Sequence, residues 1–260
     1  MTTKRRPITY TTEGVVVRTS NLGEADRIIT LVTPIHGLVR GVAKASRKPG
    51  SKIGGHLDML KHVSVSVRET STLHGLSQAS TLNGFRQLRD NLERFARASY
   101  ISEISEQFSV ENGSNQPLFK LLLSVLDALE TTTNTDMITR FFEMRLLQLS
   151  GFQPEMSRCV ETGVELKPAN HLYSAERGGL LSNQAKPVIE TALLPASLNT
   201  IKLLRFLSKT KLMNAKVMKV GEEEKRQLSR ILRAQIHYVL DRGLRSEAFM
   251  DEVRSKKTET

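Results

Sequence analysis

The first 85 residues alternate between hydrophobic and polar side chains with a period of two, the pattern of half-buried β-strands. Met59–Arg68 shows it most clearly, with Val63, Val65 and Val67 on one face. Four similar runs, separated by turns, are Thr12–Thr19, Arg27–Thr33, Leu38–Ala45 and Leu73–Leu82. Five short strands favour a small closed barrel, because closure removes exposed strand edges. An OB-type barrel is the first prediction, and an SH3-like barrel is the alternative.

After Gly84 the hydrophobic period changes from 2 to 3.6 residues, which predicts helices over Phe85–Ser109, Gln116–Glu130, Asp136–Ser150, Leu198–Ser208 and Glu222–Arg242. Proline and glycine interrupt this pattern between the third and fourth helices, which predicts an irregular insertion. The sequence therefore predicts an α+β multidomain protein. Its parts are an N-terminal barrel domain (1–84), an α-helical domain (85–151 and 196–250), an insertion (152–195) and a flexible tail (251–260).

Positive charge is concentrated in two regions of the chain. The sequence carries 38 Lys and Arg against 27 Asp and Glu, a net charge of +11. Residues 1–85 hold 12 basic and 5 acidic residues, residues 200–245 hold 12 and 4, and residues 86–199 hold 11 and 14. This segregation indicates a basic face for a polyanion. Because the chain lacks both a long apolar run and a strongly apolar basic helix, nucleic acid is favoured over a membrane.

Two stretches concentrate the cations. The first is the basic loop, residues 44–55 (KASRKPGSKIGG), whose composition predicts a flexible loop. Its four cations can follow phosphates, and its glycines with Ser46 or Ser51 let backbone N–H groups approach them. The second is the helical region from Lys202 to Arg233, where Arg226, Arg230 and Arg233 share one helix face. The glutamates at 222–224 are placed to neutralise part of that face.

Known catalytic patterns are missing from the sequence. The six histidines form no HExxH or Cys/His metal spacing, and neither GxSxG nor GxxxxGK[ST] occurs. The chain has no Trp, and the predicted barrel contains only Tyr10 and Phe85 as aromatic residues. Nucleic-acid binding is therefore expected to be mainly electrostatic, salt-dependent and poor in base readout. The single cysteine and the lack of a signal peptide predict a cytoplasmic protein.

Two predicted helices are strongly aliphatic, and Arg140 and Arg145 flank the apolar cluster of the second. An apolar pocket with a cationic rim is one interpretation, and it would suit an acidic, hydrophobic peptide. Both arginines are therefore candidate peptide contacts.

Several segments together resemble the RecO family of bacterial recombination mediators. Residues 13–55 (EGVVVRTSNLGEADRIITLVTPIHGLVRGVAKASRKPGSKIGG) carry the strongest resemblance. LRDNLERFARASYISEI, TRFFEMRLLQLSGFQP, SRCVETG with RGGLLS, and LRSEAFM follow in order, so that the resemblance spans residues 8–250. It implies an OB domain, a helical body, a small zinc-ribbon-like insertion and a nucleoid-associated role. It also implies binding of single- and double-stranded DNA, strand annealing, and loading of RecA with RecR and the acidic C-terminal tail of single-stranded-DNA-binding protein (SSB).

The insertion departs from the family pattern at its metal-binding positions. Many family members carry two CxxC pairs there, which supply four thiolates for tetrahedral zinc. The matching positions in this chain are Cys159, Thr162, Ser182 and Ala185. Because only one thiol remains, we expect no zinc and no other cofactor, and a degenerate zinc-ribbon-like insertion held by packing.

The favoured hypothesis is a non-enzymatic DNA-binding mediator. The alternatives are an RNA- or ribosome-associated OB protein and, with less support, a metal-dependent nuclease. Candidate phosphate contacts in the barrel domain are Arg18, Arg27, Arg40, Lys44, Arg47, Lys48 and Lys52. Weaker candidates in the helical domain are Lys202, Arg205, Lys209 and Lys211.

Overall fold

Five strands at the N-terminal end form a closed barrel in the computed structural model, which describes residues 8–183 and 192–258. They are β1 (Thr9–Leu22), β2 (Asp26–Thr33), β3 (Gly37–Ala43), β4 (His62–Arg68) and β5 (His74–Asn83). Their order is β1-β2-β3-β5-β4, and antiparallel pairing of β1 with β4 closes the barrel. Strands β3 and β5 are parallel and all other neighbours are antiparallel. The predicted OB-type barrel is confirmed.

Alternation along the strands fills the interior of the barrel. Val63, Val65 and Val67 point inward as predicted, and they pack with the aliphatic residues Val16, Ile29, Leu31, Val39 and Leu76. The pairing of β1 with β2 shifts between Val16 and Arg18, where the strand is irregular. This shift explains why Val15, Val16 and Val17 are all buried although they are consecutive.

Eight helices are present among the described residues. They are α1 (Arg86–Asp90), α2 (Leu92–Gln107), α3 (Gln116–Thr131), α4 (Thr135–Leu149), α5 (Leu198–Leu207), α6 (Leu212–Val217), α7 (Glu222–Leu240) and α8 (Arg245–Thr258). The first predicted helix is divided because Asn91 is extended and its side chain caps α2 by accepting a hydrogen bond from the Arg94 N–H. The predicted flexible tail is wrong for residues 251–258, which continue α8, whereas residues 259–260 lie outside the described chain.

The insertion is more regular than predicted. Strands β6 (His171–Ser174), β7 (Gly179–Leu181) and β8 (Leu193–Ala196) form a three-stranded antiparallel sheet in the order β7-β6-β8. Tyr173 of β6 is buried, and its hydroxyl donates a hydrogen bond of 2.5 Å to Gln235 of α7. Burial raises the pKa of Tyr173, so the hydroxyl remains a donor at neutral pH. This bond ties the sheet to the helical part of its own unit.

The chain forms two compact units whose boundary differs from the predicted one. The first unit contains the chain up to residue 130 together with the chain from residue 246, and the second contains residues 131–245. Helices α1–α3 and α8 therefore belong with the barrel. Helix α2 contacts β1 and β2, and Ser246 at the start of α8 donates two hydrogen bonds to Glu103 of α2. Because of these contacts the first unit extends past Gly84, and the change of hydrophobic period at Gly84 marks only the end of the barrel.

Candidate nucleic-acid interface

The basic loop is folded into turns and tied to the turn between β1 and β2. Its Ala45 N–H donates to the Asp26 carboxylate at 2.7 Å. The Arg47 N–H donates to the Ala25 carbonyl at 2.9 Å, and the Arg47 guanidinium donates to the Gly23 carbonyl at 3.1 Å. The expectation of a flexible loop is therefore wrong for its first half, because three hydrogen bonds fix this half to the β1–β2 turn and to the start of β2.

The two serines of the basic loop differ in their surroundings. Ser46 is buried, and the hydroxyl of Ser51 accepts a hydrogen bond from the Gly54 N–H at 3.1 Å. Gly54 is also buried, and a Cβ atom there would lie 2.0 Å from the Ser46 carbonyl oxygen. The predicted roles of Ser46 and Ser51 in exposing backbone N–H groups are thus not seen. Ser51 holds the loop in shape instead, whereas the buried Ser46 hydroxyl has no hydrogen-bond partner among the described residues.

Gly54→Ala is expected to destabilise the protein by about 1–3 kcal/mol, because overpacking at this distance forces the backbone to move. The matched control is Gly55→Ala, since a Cβ atom at Gly55 meets nothing within 4 Å. Urea unfolding of the two variants measures the difference. Equal midpoints for both variants would show that the loop accommodates the added methyl group.

Four cations of the basic loop project from this fixed backbone. Lys44, Arg47, Lys48 and Lys52 are exposed, and none of them forms an ion pair with another described residue. Their charges are therefore not neutralised by a described carboxylate. A fixed backbone that presents several unneutralised cations suits the repeating charge of a phosphate chain.

A groove of about 1000 Å³ opens beside the basic loop, between the β1–β2 turn and the β4–β5 loop (residues 69–73). Its apolar lining is Leu22, Val42, Ile53, Leu73 and Leu76, and its polar lining includes Lys44, Arg68, Glu69 and His74. OB-type barrels bind oligonucleotides in this region. Sequence reasoning missed Arg68 and His74. The end of the alternating run at Arg68, directly before a polar turn, was the signal that could have identified them.

The other three predicted barrel cations are paired with carboxylates. The Arg18 Nε lies 2.9 Å from Glu106 Oε2, and the Arg40 Nη2 lies 3.7 Å from Glu106 Oε1. Glu106 belongs to α2 and is buried, so these arginines connect the outer face of the barrel to that helix. The Arg27 Nη1 lies 3.2 Å from Asp58. The structure does not bring Arg18 and Arg40 into the basic loop, and a phosphate role for them stays a prediction.

In the second unit the candidate cations divide into free and engaged groups. Lys202, Lys209 and Lys211 are exposed. The Arg205 guanidinium instead donates two hydrogen bonds to the Met156 carbonyl, at 3.0 and 2.5 Å. The cationic face of α7 is partly neutralised as predicted, because Glu222 pairs with Lys225 and Glu223 pairs with Arg226.

The two candidate peptide contacts lie elsewhere than predicted. Arg140 is completely buried, 2.8 Å from the equally buried Glu143, and it donates to the Ser229 hydroxyl at 3.1 Å. The prediction for Arg140 is therefore wrong, because no atom of its side chain reaches solvent. Arg145 stacks over Phe141 and donates to the Ser208 and Thr210 carbonyls, and burial lowers its pKa. Its guanidinium is held by these bonds and does not form an open rim.

The residues at the family's zinc positions do not fit a zinc ion. Cys159 is buried, and its sulfur accepts a hydrogen bond from the Ser182 N–H at 3.3 Å. The pKa of Cys159 lies below its ordinary value. Burial alone would raise it, but hydrogen bonds from the Thr162 side chain and from the Ser182, Thr162 and Glu161 backbones have the larger, opposite effect. Hydrogen-bond donors thus surround the Cys159 sulfur. Two of the other family positions carry the hydroxyl residues Thr162 and Ser182, and the last, Ala185, lies outside the described residues. One thiolate with two hydroxyls is not a donor set for structural zinc.

Within residues 8–183 and 192–258, no three or more His, Cys, Asp or Glu side chains are grouped so that they could hold a metal ion. Over the same ranges, every helix is too short or too polar to cross a lipid bilayer.

The closed five-stranded barrel with its groove places the N-terminal part in the OB class, whose members include proteins that bind oligonucleotides and oligosaccharides. Sequence comparison places the chain more narrowly. The family models described as Recombination protein O N terminal and Recombination protein O C terminal match residues 8–85 and 89–248. The chain belongs to the RecO family.

Individual relatives cover nearly the whole chain. The DNA repair protein RecO of Dehalococcoides mccartyi strain 195 is 32% identical over 248 residues, which is 95% of this chain and 97% of the relative. The protein of the same name from Roseiflexus sp. strain RS-1 is 34% identical over 245 residues, 94% of this chain and 86% of the relative. That of Symbiobacterium thermophilum is 30% identical over 251 residues, 95% of this chain and 99% of the relative.

Proposed function

We propose that this chain is a non-enzymatic mediator of DNA repair that binds single- and double-stranded DNA and anneals complementary strands. The observation that carries the proposal is the basic loop, whose exposed Lys44, Arg47, Lys48 and Lys52 lie beside the barrel groove. Membership of a family whose named relatives are DNA repair proteins supports it. The polyanion is DNA in this proposal, and the chain acts on it in the cytoplasm, at the nucleoid.

The mechanism follows from charge. Two complementary strands repel each other through their phosphates, and a cationic surface that binds both lowers this repulsion. Because the Ala45 and Arg47 N–H groups fix the first half of the loop backbone to Asp26 and Ala25, little backbone freedom is lost there when phosphates bind. Contacts to phosphates carry little sequence information, so annealing would not depend on a particular sequence.

We further propose that the chain acts with protein partners implied by its family. These are RecR, the acidic C-terminal tail of SSB, and indirectly RecA, which the chain would help to load onto DNA. Since Arg140 is buried and Arg145 is engaged, neither residue supports a docking site for the tail.

Annealing of complementary oligonucleotides coated with SSB tests the function and its partner half together. We expect the chain to accelerate annealing, and to do so less when the coating SSB lacks its acidic tail. If the chain anneals oligonucleotides coated with intact SSB and with tail-less SSB equally well, the tail has no part in the proposal. Tighter binding of structured RNA than of DNA at matched salt would favour the RNA-associated alternative instead.

We also propose that the insertion folds without zinc. Protein purified from zinc-containing medium is expected to hold far less than one zinc ion per chain, and EDTA is expected to leave its unfolding midpoint unchanged, because chelators denature domains that depend on zinc. The matched control restores the family pattern with Thr162→Cys, Ser182→Cys and Ala185→Cys, which should acquire zinc. Stoichiometric zinc in the unaltered chain would contradict the proposal.

A further inference from the structure

Helix α5 exposes an aromatic residue between two lysines. Lys202, Phe206 and Lys209 are spaced four and three residues apart, the spacing that places side chains on one face of a helix. All three are exposed, and the Phe206 side chain retains 46% of its accessible surface. Lys209 follows the last helical residue, but its N–H still donates to the Phe206 carbonyl at 3.0 Å, so the turn continues. The opposite face, with Ile201, Leu204 and Leu207, is buried.

The charged side chains in the stretch of sequence that contains these three residues are all positive. No acidic residue occurs between Glu190 and Glu222, whereas Lys202, Arg205, Lys209, Lys211, Lys216 and Lys219 all fall in that interval. No ion pair joins Lys202 or Lys209 to another described residue. With a rise of 1.5 Å per residue, the two lysines lie about 10 Å apart along the axis, with Phe206 between them.

We propose that the α5 stripe (Lys202, Phe206 and Lys209) is a second nucleic-acid site that holds a single strand by stacking a base on Phe206. This inference rests on the proposed function. Aromatic rings stack on bases with little regard to sequence, and the flanking lysines bind the adjoining phosphates. In a duplex the base faces are already stacked on each other, so Phe206 selects single strands. One chain then offers the barrel to one strand and the α5 stripe to another.

The absence of Trp from the chain gives a direct optical test. Phe206→Trp introduces a single tryptophan, whose fluorescence a thymidine oligonucleotide is expected to quench, whereas a blunt duplex of equal charge is not. The matched control is Phe152→Trp in the same unit, because Phe152 is 48% exposed and has no Lys or Arg within five residues on either side. Its fluorescence should not respond to either DNA.

Affinity provides the second readout. In a background with Lys44, Lys48 and Lys52 replaced by alanine, Phe206→Leu is expected to weaken oligonucleotide binding by about 5- to 100-fold, the range for loss of one stacked base. Phe206→Tyr keeps the ring and should retain the affinity. Circular dichroism confirms that each variant is folded.

The outcomes separate the two proposals. If the unaltered chain binds DNA but Phe206→Trp is not quenched, the α5 site is wrong and the proposed function stands. If the unaltered chain binds no DNA at low salt, the proposed function fails and the α5 site fails with it. Quenching by an acidic, phenylalanine-containing peptide but not by the oligonucleotide would make the stripe a peptide site and overturn the proposal.

Discussion

Replacing Lys44, Lys48 and Lys52 together by alanine is expected to weaken single-stranded DNA binding about 10- to 100-fold near physiological salt. The slope of log affinity against log salt should fall by about 2, because each lost phosphate contact on a single strand removes about 0.7. The three side chains are exposed and none is ion-paired with a described residue, so their removal should leave the fold intact. Fluorescence anisotropy of a labelled oligonucleotide at several salt concentrations measures both quantities.

The control for this experiment removes the same amount of charge elsewhere. Arg18→Gln, Arg27→Gln and Arg40→Gln also lower the net charge by three, but these arginines are paired with Glu106 or Asp58. Because Glu106 is buried and loses its partners in this variant, circular dichroism must first show that the control is folded. If the basic loop is the site, the control should retain most of its affinity and salt slope. Equal losses in both triple variants would mean that total charge decides binding and that the loop has no special part in it.

Arg140→Met is expected to lower the free energy of unfolding by about 3–5 kcal/mol, because it removes the ion-pair partner of a buried carboxylate. Arg140 and Glu143 are both fully buried and their charged groups are 2.8 Å apart. Urea unfolding followed by circular dichroism measures the loss. The double variant Arg140→Met with Glu143→Leu should recover most of it, since a buried pair replaced by apolar residues is often neutral.

This double-mutant comparison also tests the reassignment of Arg140. A stable Arg140→Met variant with normal unfolding would mean that the guanidinium is not part of the interior. In that case the original interpretation, a peptide contact on the protein surface, would regain support. A lower urea midpoint for Arg140→Met than for the unaltered chain, recovered in the double variant, would establish that Arg140 has a structural role.

The parts of the fold that sequence could predict are those set by local periodicity. Strict alternation located β4, and the change to a period of 3.6 located α3, α4, α5 and α7 within a few residues. The short helix α6 and the polar helix α8 were missed, because neither carries a clear apolar stripe in its sequence. Helix α8 is fixed by distant partners instead, through Ser246 with Glu103 and Phe249 with Phe95.

The sequence could predict which cations the candidate site contains, but not which carboxylates pair with the other predicted cations. The cationic loop could be read directly from KASRKPGSK. Nothing local indicated that Arg18 and Arg40 face a buried glutamate on α2, because Glu106 is far away in sequence. Arg140 shows the same limit, since a charged residue in an apolar helix was assigned to the surface by default, whereas Glu143 one turn later stabilises it inside.

The return of α8 to the first unit has a consequence for synthesis on the ribosome. The barrel and α1–α3 are made before the second unit, whereas the segment from Ser246 onward, which contacts Glu103 and Phe95, is made after it. The whole of the second unit separates them, so the first unit waits on the order of ten seconds for its final helix during translation. Until α8 is made, the part of α2 around Phe95 and Glu103 lacks its partner helix and is accessible to chaperones.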